Sequence, residues 1–227
     1  MEDHRTDRLG VLLDQFDVAR QIAQARLDGF VSPASLPKGA PLPPRTGDGP
    51  LTDEEYLWEP APGAWSLRRR GQAMSPRPFG PGEWLLDDAP GDPDPTPVTT
   101  IAWRLGHLHL DFAGTWEWTF GGRRQPPAQL LDFSPSAAMA LERLWVTVNR
   151  WRNSVAAVTD EQLDTVGYCQ YPWSDAAELP FISVIWASNI EFIHHMAEIA
   201  LLRDLYRTRP TRSTGHAARD PNPEPLS

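Results

Sequence analysis

The 227 residues include 41% hydrophobic and 22% charged side chains, which suits one soluble globular domain with a full core and excludes a globally disordered chain. A formal charge of −9 repels phosphate backbones and excludes nucleic acid as a default partner; the local exception, Arg68-Arg69-Arg70, reads as a solvated turn. No apolar run nears the ~20 residues that span a bilayer, the charged start Met1-Glu2-Asp3-His4-Arg5 lacks a signal-peptide core, and Cys169 has no partner for an intrachain disulfide, so a cytoplasmic protein is expected.

The first helical pattern runs from about Asp7 to Phe30. Leu9, Leu12, Leu13, Phe16, Ala19, Ala23, Leu27 and Phe30 recur at three or four residues and form its apolar face. Val31 to Leu51 is rich in Pro and Gly and reads as a loop. Thr52-Asp53-Glu54-Glu55 has capping-box spacing and predicts a short helix ending before Pro60. Residues 61–97 hold many prolines and glycines and form a long irregular excursion, with Trp65 and Trp84 expected to pack back onto the helices.

Thr96-Pro97 predicts the start of the second long helix, with Ile101, Leu105, Leu108, Phe112 and Trp116 as its face and Gly121-Gly122 as its end. Ser134-Pro135 predicts the third start, and Leu141, Leu144, Trp145, Val148, Trp151, Val155 and Val158 its core face. Thr159-Asp160-Glu161-Gln162 is another capping box. The fourth helix follows Pro180, from Phe181 to about Tyr206. No stretch alternates long enough to read as a strand. The expected fold is all-α: a single four-helix bundle over residues 1–207, with a disordered polar tail over 208–227.

The chemistry concentrates on the fourth helix. Glu191 and His195 lie four apart and share a face with Val184, Ser188, Ile199 and Leu202, so both ionisable groups point inward. Burying them without partners costs several kcal/mol. A metal ion compensates by favouring the carboxylate and the neutral imidazole together; the alternative is a buried hydrogen-bonded pair. The second helix offers His107 and His109 on roughly opposite sides. His107, near the Ile101–Leu105–Leu108 stripe, is the expected third ligand, with His109 at the rim. Two histidines and one carboxylate leave coordination positions open, as a catalytic metal requires, and suit Zn, Ni, Fe or Co.

Leu51 to Ser66 (LTDEEYLWEPAPGAWS) resembles the segment ahead of the second helix in the DinB superfamily. Thr99 to His107 (TTIAWRLGH) resembles that family's metal-histidine helix, and Ile193 to Arg203 (IHHMAEIALLR) its last helix. With Glu191 at the first position of the last-helix pair, the chain resembles the mycothiol-dependent maleylpyruvate isomerase branch. The resemblance implies a four-helix bundle, a divalent metal (commonly zinc) on His107, Glu191 and His195, and a low-molecular-weight thiol cosubstrate. Arg104 and Arg203 are candidates for binding the thiol, chosen by nearness in sequence.

The expected function is thus a metal-dependent thiol transferase or isomerase acting on a small electrophile. The alternatives are a hydrolase using water at the same site, or a non-enzymatic bundle that binds a metal or small ligand. Glu198, three residues after His195, is a candidate for orienting a ligand or substrate, or a surface ion-pair partner of Arg203. His194 reads as packing or as support for a ligand, and Cys169 as a buried inert thiol. Trp103 and Trp186 are expected to wall the pocket. A homodimer is compatible with the apolar content of the excursion.

Overall fold

The structure is a computed structural model that describes residues 7–28, 49–88, 95, 97–123 and 131–210. The long helices are α1 (Arg8–Leu27), α3 (Ile101–Thr119), α4 (Ala137–Val155) and α6 (Phe181–Thr208). Short helices α2 (Asp53–Leu57) and α5 (Asp160–Asp164) and a 3₁₀ turn (Asp175–Glu178) lie between them. Each long helix buries an apolar stripe that it cannot bury alone, and the solution is an all-α bundle. α3 packs on α4 and α6, and α6 packs on α1. Arg152 of α4 closes the ring by gripping Asp17 of α1 at 2.6 Å.

The core is aromatic where the helices meet. Phe16 lies 5.0 Å from Phe192 and 5.8 Å from Phe112, ring centre to ring centre. Trp151 meets the Phe112 ring edge-on at 6.2 Å. All four side chains are buried, so α1, α3, α4 and α6 each supply one ring to a common contact. The expected stripes of α1, α3 and α4 are the buried ones, except that Leu12, Ala19, Trp116 and Trp145 are only partly covered. Phe30, the Val31–Asp48 part of the expected loop, and residues 211–227 of the expected tail lie outside the described residues.

Both capping boxes form. Thr52 accepts from the Glu55 N–H at 3.2 Å while Glu55 accepts from the Thr52 N–H at 3.1 Å, and Thr159 and Gln162 repeat the pattern. Two helix starts differ from expectation. α3 begins at Ile101, capped by Thr100, because Val98 and Thr99 are occupied as extended backbone: the Trp65 N–H reaches the Val98 carbonyl at 2.8 Å and the Thr100 N–H reaches Trp65 at 2.9 Å. α4 begins at Ala137 rather than after Ser134. Its first N–H donates to the Asp53 carboxylate of α2 at 2.7 Å, so the cap is supplied from another helix. At the far end α6 continues past Tyr206 to Thr208.

The described residues of the excursion are built around a small hairpin. β1 (Leu67–Arg69) pairs antiparallel with β2 (Trp84–Leu86), Leu67 opposite Leu86 and Arg69 opposite Trp84. Strands of three residues carry no readable alternation, which is why none was expected. The arginine run is part of this hairpin and not a solvated turn. Arg68 pairs with Asp87 at 3.0 Å and Glu59 at 2.9 Å, and Arg70 donates to the carbonyls of Gly80, Pro81 and Gly82. Asp87, fully buried, also accepts N–H bonds from Ser66, Met74 and Ser75, which ties the residue after β2 to the segments before and after β1. No helix among the described residues is long and apolar enough to cross a membrane.

Two turns beyond His195, Arg203 of α6 is fully buried against Glu55, with 3.2 Å between Arg203 Nη2 and Glu55 Oε2. Arg203 also donates to the carbonyls of Gly49 and Arg26, and Arg207 reaches Glu55 at 2.5 Å. Burial alone would raise the Glu55 carboxyl, but the bonds from Arg207, the Thr52 N–H and Arg203 outweigh it and leave the group lowered from 4.5. A carboxyl lowered by folding stabilises above its unfolded value, and that stability is lost as pH falls through the folded one. Glu55→Ala is therefore expected to cost about 3–5 kcal/mol in urea denaturation at pH 7, because it leaves a buried guanidinium uncompensated, and to cost progressively less as pH falls below 4.5.

Candidate metal centre

His107 projects from the second turn of α3, and Glu191 and His195 from successive turns of α6. The packing of α3 on α6 brings one ligand atom from each within 4.8 Å of the others. Glu191 Oε2 lies 3.1 Å from His195 Nε2 and 3.9 Å from His107 Nε2. Ligand atoms around a tetrahedral ion at ~2.0–2.1 Å sit about 3.4 Å apart, and the observed separations bracket that spacing. The His107 ring is held by Trp103, one turn earlier on α3, which stacks on it at 5.0 Å with 7° between planes.

The other nitrogen of His195 decides how this cluster can work. Nδ1 lies 2.8 Å from Glu198 Oε2. Each ring nitrogen thus faces a carboxylate, Nδ1 that of Glu198 and Nε2 that of Glu191, and a metal ion on Nε2 would leave the ring proton on Nδ1, where Glu198 accepts it. Burial lowers the His195 imidazole below its usual 6.5, and the carboxylate of Glu191 opposes that shift. The ring is therefore neutral at pH 7. Glu191 Oε2 is buried and has no hydrogen-bond donor, despite its closeness to two imidazoles. A carboxylate lone pair facing an imidazole lone pair is repulsive unless a cation lies between them. The chain thus supplies the donor set, the protonation states and the oxygen without a partner that a divalent ion fits.

Glu198 is itself held by Arg104 of α3, whose Nη1 contacts the same Oε2 and sits 3.1 Å from His195 Nδ1. His194 Nε2, on the exposed side, is 3.4 Å from Glu198 Oε1. His194, His195 and Glu198 form a second group with metal-like spacing, but it would need the Nδ1 atom that already donates to Glu198.

His107 and Glu191 open into a cavity of about 570 Å³. One wall is the excursion, through Phe79, Leu86 and Asp87; the others are α3, through Trp103 and Asp111, and the segment holding Tyr171 and Trp173. The Trp103 indole N–H bonds the Asp87 carbonyl at 2.7 Å, which ties the hairpin wall to the helix that carries His107. The Leu86 side chain would come within 2.9 Å of any Cβ at Gly106, so the close approach of this wall to α3 depends on glycine beside His107.

The remaining residues singled out in the sequence lie elsewhere. Arg203 is two turns beyond His195 and serves the Glu55 cluster, leaving Arg104 as the arginine beside the imidazoles. His109 is not at the rim. It faces α4, bonded to Thr147 Oγ1 at 3.0 Å, and burial, then Arg143, depresses its imidazole to about 4. Trp186 is exposed beside Arg8 and Val11 and walls no part of this cavity. Burial pushes the Cys169 thiol up, as befits an inert side chain. Asp111 was not anticipated. Its signal was present as an acid four residues after His107, and so on the same face of α3.

A family model described as the DinB superfamily matches residues 76–199, more than half of the 227-residue chain. That span contains His107, Glu191 and His195. No curated protein and no solved structure matches the chain.

Trp103→Phe is expected to keep an aromatic ring over His107 while deleting the indole donor to the buried Asp87 carbonyl. The orphaned carbonyl should cost about 1–3 kcal/mol, measured as a shift in the urea midpoint.

Proposed function

Because the chain belongs to the DinB superfamily, we propose that His107, Glu191 and His195 hold a divalent metal ion, zinc foremost, and that the protein is a thiol-dependent transferase or isomerase acting on a small electrophile in the adjoining cavity. Glu191 Oε2 carries this reading: a buried carboxylate oxygen between two imidazoles with no donor of its own. The His-Glu-His ligand set is similar to that of the mycothiol-dependent maleylpyruvate isomerases.

A divalent ion held there would favour the deprotonated form of a thiol bound in an open position, and so supply a nucleophile at neutral pH. The chain's own residues prepare for this. Glu198 fixes the His195 tautomer that leaves Nε2 free to coordinate. Arg104 fixes Glu198, and its positive charge favours the ionised carboxylate. Trp103 sets the plane of the His107 ring. Phe79, Leu86, Trp103 and Trp173 give the cavity apolar walls, which displace water from an electrophile lying against them.

His107→Ala is expected to abolish metal binding while the helical circular dichroism spectrum is retained. Elemental analysis of protein purified without chelators or affinity nickel checks this, and equal metal in wild type and variant would remove His107 from the ligand set. Glu198→Ala keeps all three ligands but frees the His195 ring, and should weaken metal affinity about 10–100-fold in chelator competition. Thiol binding by the metal-loaded protein, followed calorimetrically, tests the cosubstrate. Turnover of an electrophile that proceeds equally well without thiol would favour hydrolysis at the same site.

A further inference from the structure

Every acidic or basic side chain of α6 before Arg207 is engaged away from its outward face. Glu191, His194, His195 and Glu198 contact one another around the metal centre, Arg203 pairs with Glu55, and Asp204 pairs with Arg26. Besides Ala187 and His194, the exposed positions from Trp186 to Leu205 are Trp186, Ile190, Ile193, Ala197, Leu201 and Leu205. They recur every three or four residues and form one apolar stripe. Trp186 and Leu201 are 55% and 59% exposed. α1 widens this face. It runs beside α6 in the same direction, with Asn189 donating to the Leu12 carbonyl and Arg26 to the Ala200 carbonyl. Two apolar grooves of about 550 and 680 Å³ follow one another between the helices, the first at Val11 and Trp186, the second at Ile22 and Ile193. Neither shares a residue with the cavity beside His107.

The size and symmetry of the face identify its occupant. At 1.5 Å per residue the shared length of α1 and α6 is ~30 Å, and two packed helices present a strip ~19 Å wide. Two copies meeting across this strip would remove on the order of 1,000 Å² from water in total, the size at which specific interfaces begin. Soluble monomers rarely leave a contiguous apolar area of this extent bare. The stripe is also complementary to itself. A two-fold axis across α6 sets the helix antiparallel to its copy, with Trp186 opposite Leu205, Ile190 opposite Leu201 and Ile193 opposite Ala197. Every pair is apolar, and the small Ala197 sits at the centre, where the helices approach most closely. The chain carries a charge of −9, so two copies repel unless the acids at their contact are paired, as those of α6 are. Asp14 and Gln15 line the α1 side and supply a polar margin. We propose that the α1–α6 face is the interface of a two-fold homodimer with α6 antiparallel in this register. The proposal is independent of the metal reading.

Sedimentation velocity of the full chain between about 1 and about 100 µM tests this. Wild type should reach twice its 25.4 kDa mass within that range. Ile190→Lys and Leu201→Glu each place a charge in the apolar seam at an exposed position. Each should raise the dissociation constant about tenfold or more with an unchanged circular dichroism spectrum. The antiparallel register sets the two introduced charges against each other when the variants are mixed. The mixture should therefore form a dimer at concentrations where each variant alone is monomeric. Wild type that stays monomeric throughout, a dimer that both variants leave intact, or a mixture no tighter than its components would overturn the proposal. A monomer that dimerises only after removal of residues 211–227 would assign the face to the chain's own end instead. The variants are read separately, so unfolding of one leaves the other and the wild-type mass to decide.

Discussion

A carboxylate oxygen with no donor, held between two imidazoles inside a helical bundle, is the constraint around which the centre of this protein is arranged. The side chains that carry these atoms are half-buried, so the cluster borders the adjoining cavity and is not sealed in the core. The neighbouring groups add to the constraint. Glu198 holds Nδ1 of His195 and so directs Nε2 towards Glu191, and Arg104 holds Glu198 in place. Trp103 stops the His107 ring from rotating out. Each contact is ordinary, but together they fix two rings and a carboxylate at a spacing that suits a divalent cation.

The second dependence runs through Asp87. A fully buried carboxylate is tolerated only when its lone pairs are filled, and here they are filled by Arg68 and by the backbone N–H groups of Ser66, Met74 and Ser75. That condensation turns a Pro- and Gly-rich segment into a rigid wall. The same residue's carbonyl then receives the Trp103 indole, so the wall is registered against the helix bearing His107. The bundle supplies the ligand atoms, and the excursion converts their position into a cavity with a shape. Arg203, close to the site in sequence, is taken up instead by the buried carboxylate of Glu55.

Much of this was legible without coordinates. Helical periodicity identified the stripes that became the core, and the Thr52 and Thr159 capping boxes formed as their spacing predicted. The interval from Glu191 to His195 is one helical turn, so their shared inward face followed from geometry within a single helix. Expectations failed where a distant segment intervened. Thr96-Pro97 has the form of a helix start, but the backbone before α3 is drawn into pairing with Trp65, and Thr100 becomes the cap. Ser134-Pro135 has the same form, but Asp53 of another helix supplies the cap. His109 and Trp186 were assigned by their distance along the chain from a ligand, and each faces a different neighbour.

The sequence by itself determined what depends on short-range order: four amphipathic helices, their capping boxes, and an inward Glu–His pair on the last of them. The tertiary structure decided which histidine of α3 meets that pair, that Glu198 and Arg104 stand behind His195, and that the excursion walls a cavity. The physical reason is range. Periodicity and capping act within about one turn of a helix, whereas a coordination site or a counter-ion is defined by atoms that the chain brings together only after its helices have packed.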